Sequence, residues 1–390
     1  MPIVGSSNII INNDDLQRHK SLTIQEVLNL ESGIKSRSIY GINSSGSKTT
    51  IDVRGMGAQA KSNVLILING QRLNNIDMSE IDFPIMPIKN IDRIEIIKGS
   101  AATVLYGDGV IGGAINIITH PETTKESTSE VILKTGTFNS REIAFNNYQK
   151  LNKYFLQTYF NHSETDGYRD ENEQKQNNVT SDLRYEGDKG DHLLTLSFNE
   201  QVMSTPGDRS QDQLFTDRRG SDTPNDYINS LGASAMYGMD YKLSDSISFV
   251  INSSIRVKDS FSDLQSSSYP SYGDTSLTNY QFTPRINHLS SLFGKISKIT
   301  YGLDIQYADY ESHRKETENA IPLHIYDAWQ TNQSIYSQQS TFLTNNTTLG
   351  TGLRLQNNRI GIGDNLNTSA PDYAGWQTEH STLSDQETNY

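Results

Sequence analysis

Ile299-Thr300-Tyr301-Gly302-Leu303-Asp304-Ile305-Gln306-Tyr307 places apolar residues at every odd position and polar or small ones at every even position. A strand turns successive side chains to opposite faces, so this segment builds one greasy face and one wet face. The same period of two recurs at Leu194, Leu196 and Phe198, at Ile247, Phe249, Ile251 and Ile255, and at Leu349, Leu353 and Leu355. Working outward from it, strands can be drawn near 129–138, 141–150, 153–164, 178–188, 191–203, 227–241, 246–258, 279–288, 298–311, 332–343 and 346–357. Their connections alternate in length. Short turns fall at Leu151-Asn152, Gly187–Gly190, Leu243–Asp245, Leu289–Ser297 and Thr344-Asn345; long polar loops fall at 165–177, 204–226, 259–278 and 312–331. Asn139-Ser140 is a short exception on the loop side. A soluble sandwich has no reason to keep one end short and the other long. A membrane barrel has.

Composition agrees. The chain has 390 residues, 34% hydrophobic and 20% charged, with 20 Tyr and no Cys. Its longest aliphatic run, Val64–Ile68, is far short of the ~20 residues a spanning helix needs. The lack of cysteine excludes disulfides, thiol nucleophiles and cysteine-ligated metals. A net charge of −13 argues against nucleic acid as a partner. The charge is also unevenly spread. Residues 1–120 carry 11 acids and 11 bases, so the 35 acids and 22 bases after them supply the whole imbalance. Only Tyr40 and Tyr106 precede residue 121, and tyrosine enrichment beyond it fits the interfacial girdles of barrels. Two domains are expected, 1–120 and 121–390.

The first region reads as compact α+β material. Asn8–Ile11 is a short strand; Thr23-Ile24-Gln25-Glu26 has capping-box spacing, with Ile24, Val27 and Leu28 on one helical face and Gly33 as a stop. Strands follow at Thr50–Val53, Val64–Asn69 and Gln71–Leu73, the last two joined by the hairpin signal Asn69-Gly70. Ile91–Lys98 is a strand, Ala101–Tyr106 a short helix stopped by Gly107, and Ala114–Thr119 a final strand.

Four runs in this region act together: Ile51-Asp52-Val53-Arg54-Gly55-Met56-Gly57; Val64 through Leu73 with Asn69-Gly70-Gln71-Arg72 at its end; Ile91-Asp92-Arg93-Ile94-Glu95-Ile96-Ile97-Lys98-Gly99; and Leu105-Tyr106-Gly107 through Gly112-Gly113-Ala114-Ile115-Asn116. In order and spacing, residues 8–119 resemble the plug domain of TonB-dependent outer-membrane receptors. The resemblance implies a plug inside an antiparallel transmembrane β-barrel of about 22 strands, with the lumen blocked by the plug. It implies energised uptake of a scarce metal chelate or cofactor, a ferric siderophore or cobalamin, with TonB of the inner-membrane complex as partner and outer-membrane lipid around the barrel.

The family also implies site residues. Plug arginines that look like Arg54 and Arg93 are held there by barrel-wall carboxylates, an arrangement suited to a bidentate guanidinium. Arg93 and Glu95 lie two apart on a strand, share a face and can instead pair with each other. The apical segments 57–63 and 74–83 offer Gln59, Lys61, Asn63, Asn74, Asp77 and Ser79 as ligand contacts. Asp208, Asp212, Asp217, Asp222 and Asp226, beside Asp166, Asp170, Glu171 and Glu173 in the preceding loop, could cage calcium, as in some cobalamin receptors of this family. No other metal or cofactor is expected. The eight histidines are scattered, and the Gly107–Gly112 pattern G-x-G-x-x-G follows a helix and opens a strand, the reverse of a dinucleotide site.

Three expected parts are absent from the sequence: a signal peptide, a persuasive TonB-contacting box (Pro2-Ile3-Val4 is a remnant at best), and half the barrel. About eleven strands at about 21 residues each leave roughly half of a 22-stranded wall, so a fragment of a larger outer-membrane receptor is expected, ending within a loop. The rival classes are a non-transporting β-rich surface adhesin or glycan-binding protein, which leaves the four runs unexplained, and a carboxylate-pair enzyme, for which no spacing selects a pair.

Overall fold

Val64–Ile68 forms the strand around which the first domain is built. The computed structural model describes residues 7–19, 22–38, 49–79, 81, 83, 91–99, 102–119, 126–265, 271–344, 347–371 and 383–389. In chain order the domain comprises β1 (Ser7–Asn12), α1 (Asn13–Arg18), α2 (Ile24–Asn29), β2 (Ile34–Ser38) and β3 (Thr49–Val53). A single 3₁₀ turn (Gly57–Gln59) leads to α3 (Ala60–Asn63), β4 (Val64–Ile68) and β5 (Gln71–Arg72). β6 (Ile91–Lys98), α4 (Thr103–Tyr106) and β7 (Gly113–Thr119) complete it. One sheet runs β1-β6-β7-β4-β5, with β4 and β7 parallel, and β2 and β3 pair separately.

Every residue of β4 and β7 is buried, which explains why β4 reads as an unbroken apolar run rather than an alternating one. One face packs into a core with Leu28, Ile51, Val53, Ile94 and Ile96, the other into a smaller cluster of Leu65, Leu67, Ile97, Ala102 and Ala114. The capping box forms: Thr23 N donates to Glu26 Oε2 at 2.7 Å and Glu26 N to Thr23 Oγ1 at 3.4 Å. Asn69 (φ 50°) and Gly70 (φ 81°) make the two-residue hairpin between β4 and β5. Asn69 also clamps the end of β7, accepting from Thr119 N at 2.9 Å and donating to Thr119 Oγ1 at 2.7 Å.

The second region is one continuous antiparallel wall. Its strands are β8 (Thr128–Thr135), β9 (Arg141–Leu151), β10 (Tyr154–Thr165), β11 (Gln174–Glu186) and β12 (Gly190–Ser204). After α5 (Gln211–Thr216) come β13 (Tyr227–Lys242), β14 (Ile247–Leu264), β15 (Ser271–Phe282) and β16 (Arg285–Leu292). β17 (Lys295–Lys315), β18 (His324–Thr344), β19 (Thr347–Leu366) and β20 (Leu383–Asn389) end it. Each strand pairs with the next, except that β15 and β16 share one place between β14 and β17. Among the described residues β8 and β20 are the two ends of the sheet, and no helix is long and apolar enough to cross a membrane.

Polarity is inverted relative to a soluble protein. Leu133, Leu196, Phe198, Ile305, Ile335 and Leu353 are exposed on the outer face, while Asn178, Asp182, Thr195, Gln201, Asp304 and Gln356 are buried on the inner one. This is the greasy-out, wet-in pattern of a transmembrane wall, and no second sheet covers its apolar side among the described residues. On the turn side Tyr154, Tyr185, His192 and Tyr237 form a row of neighbouring rings, with centroids 4.9, 5.9 and 6.1 Å apart.

Three expectations need correction. The stretch 279–288 is not one strand: it is broken at Thr283-Pro284, because proline has no N–H for the ladder, and Pro284 contributes only its carbonyl to Leu303 N at 3.0 Å. The loops are shorter than drawn, spanning 166–173, 205–226 and 316–323, with β14 reaching Leu264 and β15 beginning at Ser271, because pairing continues past the apolar band. Outside hydrocarbon, backbone pairing does not require side-chain alternation. For the same reason the stretch expected to end within a loop forms β20, a twelfth place in the wall; its polar sequence Leu-Ser-Asp-Gln-Glu-Thr-Asn pairs with Gln356–Ile362 of β19.

Candidate functional site

The apical residues sit at the loop-side half of the lumen, and the structure divides them by role. Asn74 is a brace: its Oδ1 accepts from Ile66 N at 2.8 Å and its Nδ2 donates to Val64 O at 3.0 Å and Lys61 O at 3.3 Å. Asn63 Nδ2 donates to Gln59 O at 2.8 Å, closing α3. Asp77 Oδ1 accepts from Ser79 N at 3.0 Å, and Ser79 Oγ accepts from Asn75 Nδ2 at 2.8 Å, so these two shape the second apex. Gln59, Lys61 and Asp77 are exposed. Lys61 and Asn74 border a cleft of about 190 Å³ between the plug and β15, β17 and β18; the other four lie outside it.

Arg93 faces the turn-side half of the lumen, where a cavity of about 1030 Å³ separates the plug from the wall. Its guanidinium is taken by the plug itself, with Glu95 Oε1 at 2.8 Å and Asp92 Oδ2 at 2.6 Å. Burial lowers its pKa, but these two carboxylates outweigh that and raise it. Arg54 (φ 71°) is exposed, with its NH1 against Gly99, and no carboxylate pairs with it among the described residues. The wall carboxylate expected for each arginine is therefore beside neither among the described residues.

Docking contacts run in the opposite sense, from wall side chains mostly to plug backbone. Arg256 NH1 donates to Leu73 O and its NH2 to Asn75 Oδ1, both at 2.7 Å. Gln281 Oε1 accepts from Arg72 N at 2.8 Å while its Nε2 donates to Arg72 O at 2.7 Å, so this side chain pairs with β5 as a strand would. Ser254 Oγ donates to Gln71 Oε1 at 3.1 Å. Arg354 NH1 reaches Val104 O and Leu105 O at 3.3 and 3.4 Å, and its NH2 lies 2.8 Å from Asp304 Oδ2, an ion pair approached off the N–H direction. Both members of that pair are buried. None of these wall residues was singled out from the sequence, because each partner is separated from it by about 180 to 250 positions.

Gly107 explains why the plug can come so close. Its φ of 81° suits glycine, and a Cβ there would stand 2.4 Å from Gln356 Oε1 and 2.9 Å from Arg354 NH2. Gly107→Ala is expected to weaken docking by about 1–3 kcal/mol while sparing the plug sheet, whose core lies elsewhere. Limited proteolysis at 57–79 against an unchanged far-ultraviolet spectrum measures this.

Beside it, Arg72 NH2 binds Asp108 Oδ1 at 2.7 Å, and Asn332 Nδ2 donates to the same oxygen at 3.3 Å. Burial pushes the Asp108 carboxyl up, but the Arg72 charge and hydrogen bond, helped by Gln356 and Arg354, hold it below its ordinary 3.8. A depressed carboxyl contributes stability that is present above its unfolded value and lost as pH falls through the folded one. The Asp108 contribution to docking is thus expected to hold from neutrality to about pH 4 and to be lost only in stronger acid. Asp108→Asn should remove that acid limb from a proteolysis-against-pH profile; an unchanged limb rules the assignment out.

The acidic loop 205–226 is folded around arginines. Arg209 binds Asp217 Oδ2 and Asp222 Oδ1, each at 2.7 Å, and Arg169 donates to Pro206 O at 2.9 Å and to Gly207 O and Gly220 O. Asp212 lies in the first turn of α5, and Asp226 is buried, accepting through its carbonyl from Thr205 N at 2.8 Å. Asp208 adds only a distant charge to Arg169. Among the described residues no group of three or more acidic or histidine side chains is arranged to hold a metal ion.

Residues 4–114 match the family model of the TonB-dependent receptor plug domain. A vitamin B12 transporter, BtuB of Photobacterium profundum, is 33% identical over 128 residues, which is 33% of this chain and 20% of that protein. BtuB of Vibrio cholerae serotype O1 is 30% identical over 135 residues, 35% of this chain and 21% of its own length. Among solved structures, the unliganded ferric citrate transporter FecA superposes with a TM-score of 0.83 at 14% identity, over 99% of this chain and 60% of FecA. The ferric yersiniabactin uptake receptor FyuA from Yersinia pestis gives 0.77 at 14% identity over 99% and 61%, and the copper transporter OprC 0.74 at 16% over 100% and 60%. The chain spans about three fifths of the length of these solved proteins.

Proposed function

We propose, for a chain that is a TonB-dependent receptor with a plug domain and part of its barrel, that it serves energised uptake of a scarce metal chelate or cofactor across a Gram-negative outer membrane. The observation that carries the reading is a folded plug bound, largely through its backbone, to the wet face of an inverted-polarity wall. Such a joint blocks a lumen yet consists of a few hydrogen bonds, each worth about 0.5–1.5 kcal/mol net, so a mechanical pull could open it. TonB is the partner this reading requires, and a ferric siderophore or cobalamin the cargo; the named activity of the curated relatives makes vitamin B12 the first probe. The apices around Gln59, Lys61, Asp77 and Ser79 would meet it first.

The test is uptake of radiolabelled vitamin B12 and of ferric siderophores by cells expressing the receptor in place of their own. Uptake of one cargo that stops when the proton gradient is collapsed or TonB is deleted is the expected result. Uptake indifferent to both treatments would remove the energised reading.

A further inference from the structure

The cleft beside the apices has a wall of unusual uniformity. Cross-strand register places Asn279, Ala308 and Gln330 in one row and Gln281, Gln306 and Asn332 in the next, on neighbouring strands β15, β17 and β18. Residues two apart on a strand share a face, so all six project inward and five of them end in a carboxamide. Ala308, 6% exposed, is the single short side chain among them and makes the depression in the patch. The plug supplies the opposite side with Arg72 and Asn74, and Lys61 stands at the rim.

Hydrogen-bonding capacity is left over here. Gln281 is spent on the β5 backbone and Asn74 on the apex. Asn279 Nδ2 and Asn332 Oδ1, on side chains 7% and 3% exposed, and Arg72 Nε have no partner among the described residues. These atoms comprise two donors and an acceptor, beside the carboxamides of Gln306 and Gln330. Buried polar atoms left unpaired cost free energy, so a group that satisfies both kinds is held well there. Charge is not what the cleft offers at depth, since Arg72, its deep cation, is already neutralised by Asp108 at 2.7 Å.

We infer that this carboxamide patch is a specificity subsite for an uncharged amide- or hydroxyl-bearing arm of the cargo, and that it disfavours anionic arms. The inference rests on the receptor reading above and narrows its cargo. The volume suits a side arm, not a whole chelate; the body of the cargo would stay above it, against the apices.

Direct binding to the detergent-solubilised receptor tests this, with vitamin B12 and a neutral ferric trihydroxamate as uncharged probes and ferric citrate as the anionic one. The parent should bind an uncharged probe, and Ala308→Leu, which fills the depression, should weaken it about tenfold or more. Gln330→Ala adds no bulk and should weaken it in the same direction, which keeps the test open if the leucine variant fails to assemble. Gln157→Ala, inward-facing on β10 and outside the cleft, should change nothing. The inference is overturned if neither uncharged probe binds the parent, if both cleft variants bind within about twofold of it, or if ferric citrate binds most tightly and is weakened by the same changes. Failure of the receptor reading would look different: binding would be retained while uptake ignored the proton gradient.

Discussion

Arg354→Ala is expected to release the plug from the wall while leaving the plug itself folded. Arg354 is a buried cation with three tasks: it neutralises Asp304, donates to the carbonyls of α4 and lies over the Tyr336 ring at 5.4 Å. Removing it leaves Asp304 charged, buried and without its ion-pair partner, a change that costs about 3–5 kcal/mol at such sites. The loss falls on the docked state, because Asp304 is screened by the lumen's water once the plug is withdrawn. Rapid cleavage of the apical segments in the solubilised receptor, with the wall still heat-modifiable, is the expected readout. Arg354→Met combined with Asp304→Asn removes the stranded charge and should restore much of the protection. A protease pattern unchanged in Arg354→Ala would show that this contact does not hold the plug.

Leu353→Lys should prevent assembly of the wall. In a soluble protein a 62% exposed leucine tolerates lysine easily, usually within about 0.5 kcal/mol either way. On a lipid-facing strand a lysine near mid-depth costs about 2–4 kcal/mol. Phe215→Lys is the control: this side chain is 80% exposed but belongs to α5 in the loop 205–226, so it should be neutral. Equal tolerance of both substitutions in membrane-inserted protein would refute the inverted polarity on which the architecture depends.

Local chemistry carried most of the fold in the sequence. Asn69-Gly70 dictated its hairpin, Thr23 and Glu26 their cap, and the alternation from Ile299 to Tyr307 its membrane face. The break at Pro284 went unread, although proline lacks the ladder donor, because the surrounding alternation masks it. β20 was not legible, because Leu383–Asn389 has no greasy face to advertise a strand. Site residues fared differently. Arg93 with Glu95 is a neighbour relation two residues apart, and the pair forms. Asn74 has the polarity of a ligand contact but braces β4 and α3 of its own domain, a role decided by backbone groups that only the folded chain brings near. Arg256, Gln281 and Arg354 are invisible in their own segments, where they read as ordinary wet-face residues. Their meaning depends on which plug atoms arrive opposite them.

The uncovered outer stripe of leucines, isoleucines and phenylalanines has a thermodynamic consequence. In a bilayer or micelle these side chains would be solvated by acyl chains, so the amphiphile would act as the missing half of the structure. Any melting temperature measured for this receptor therefore belongs jointly to polypeptide and micelle. Lengthening the detergent tail by a few carbons should move it even though no residue has changed.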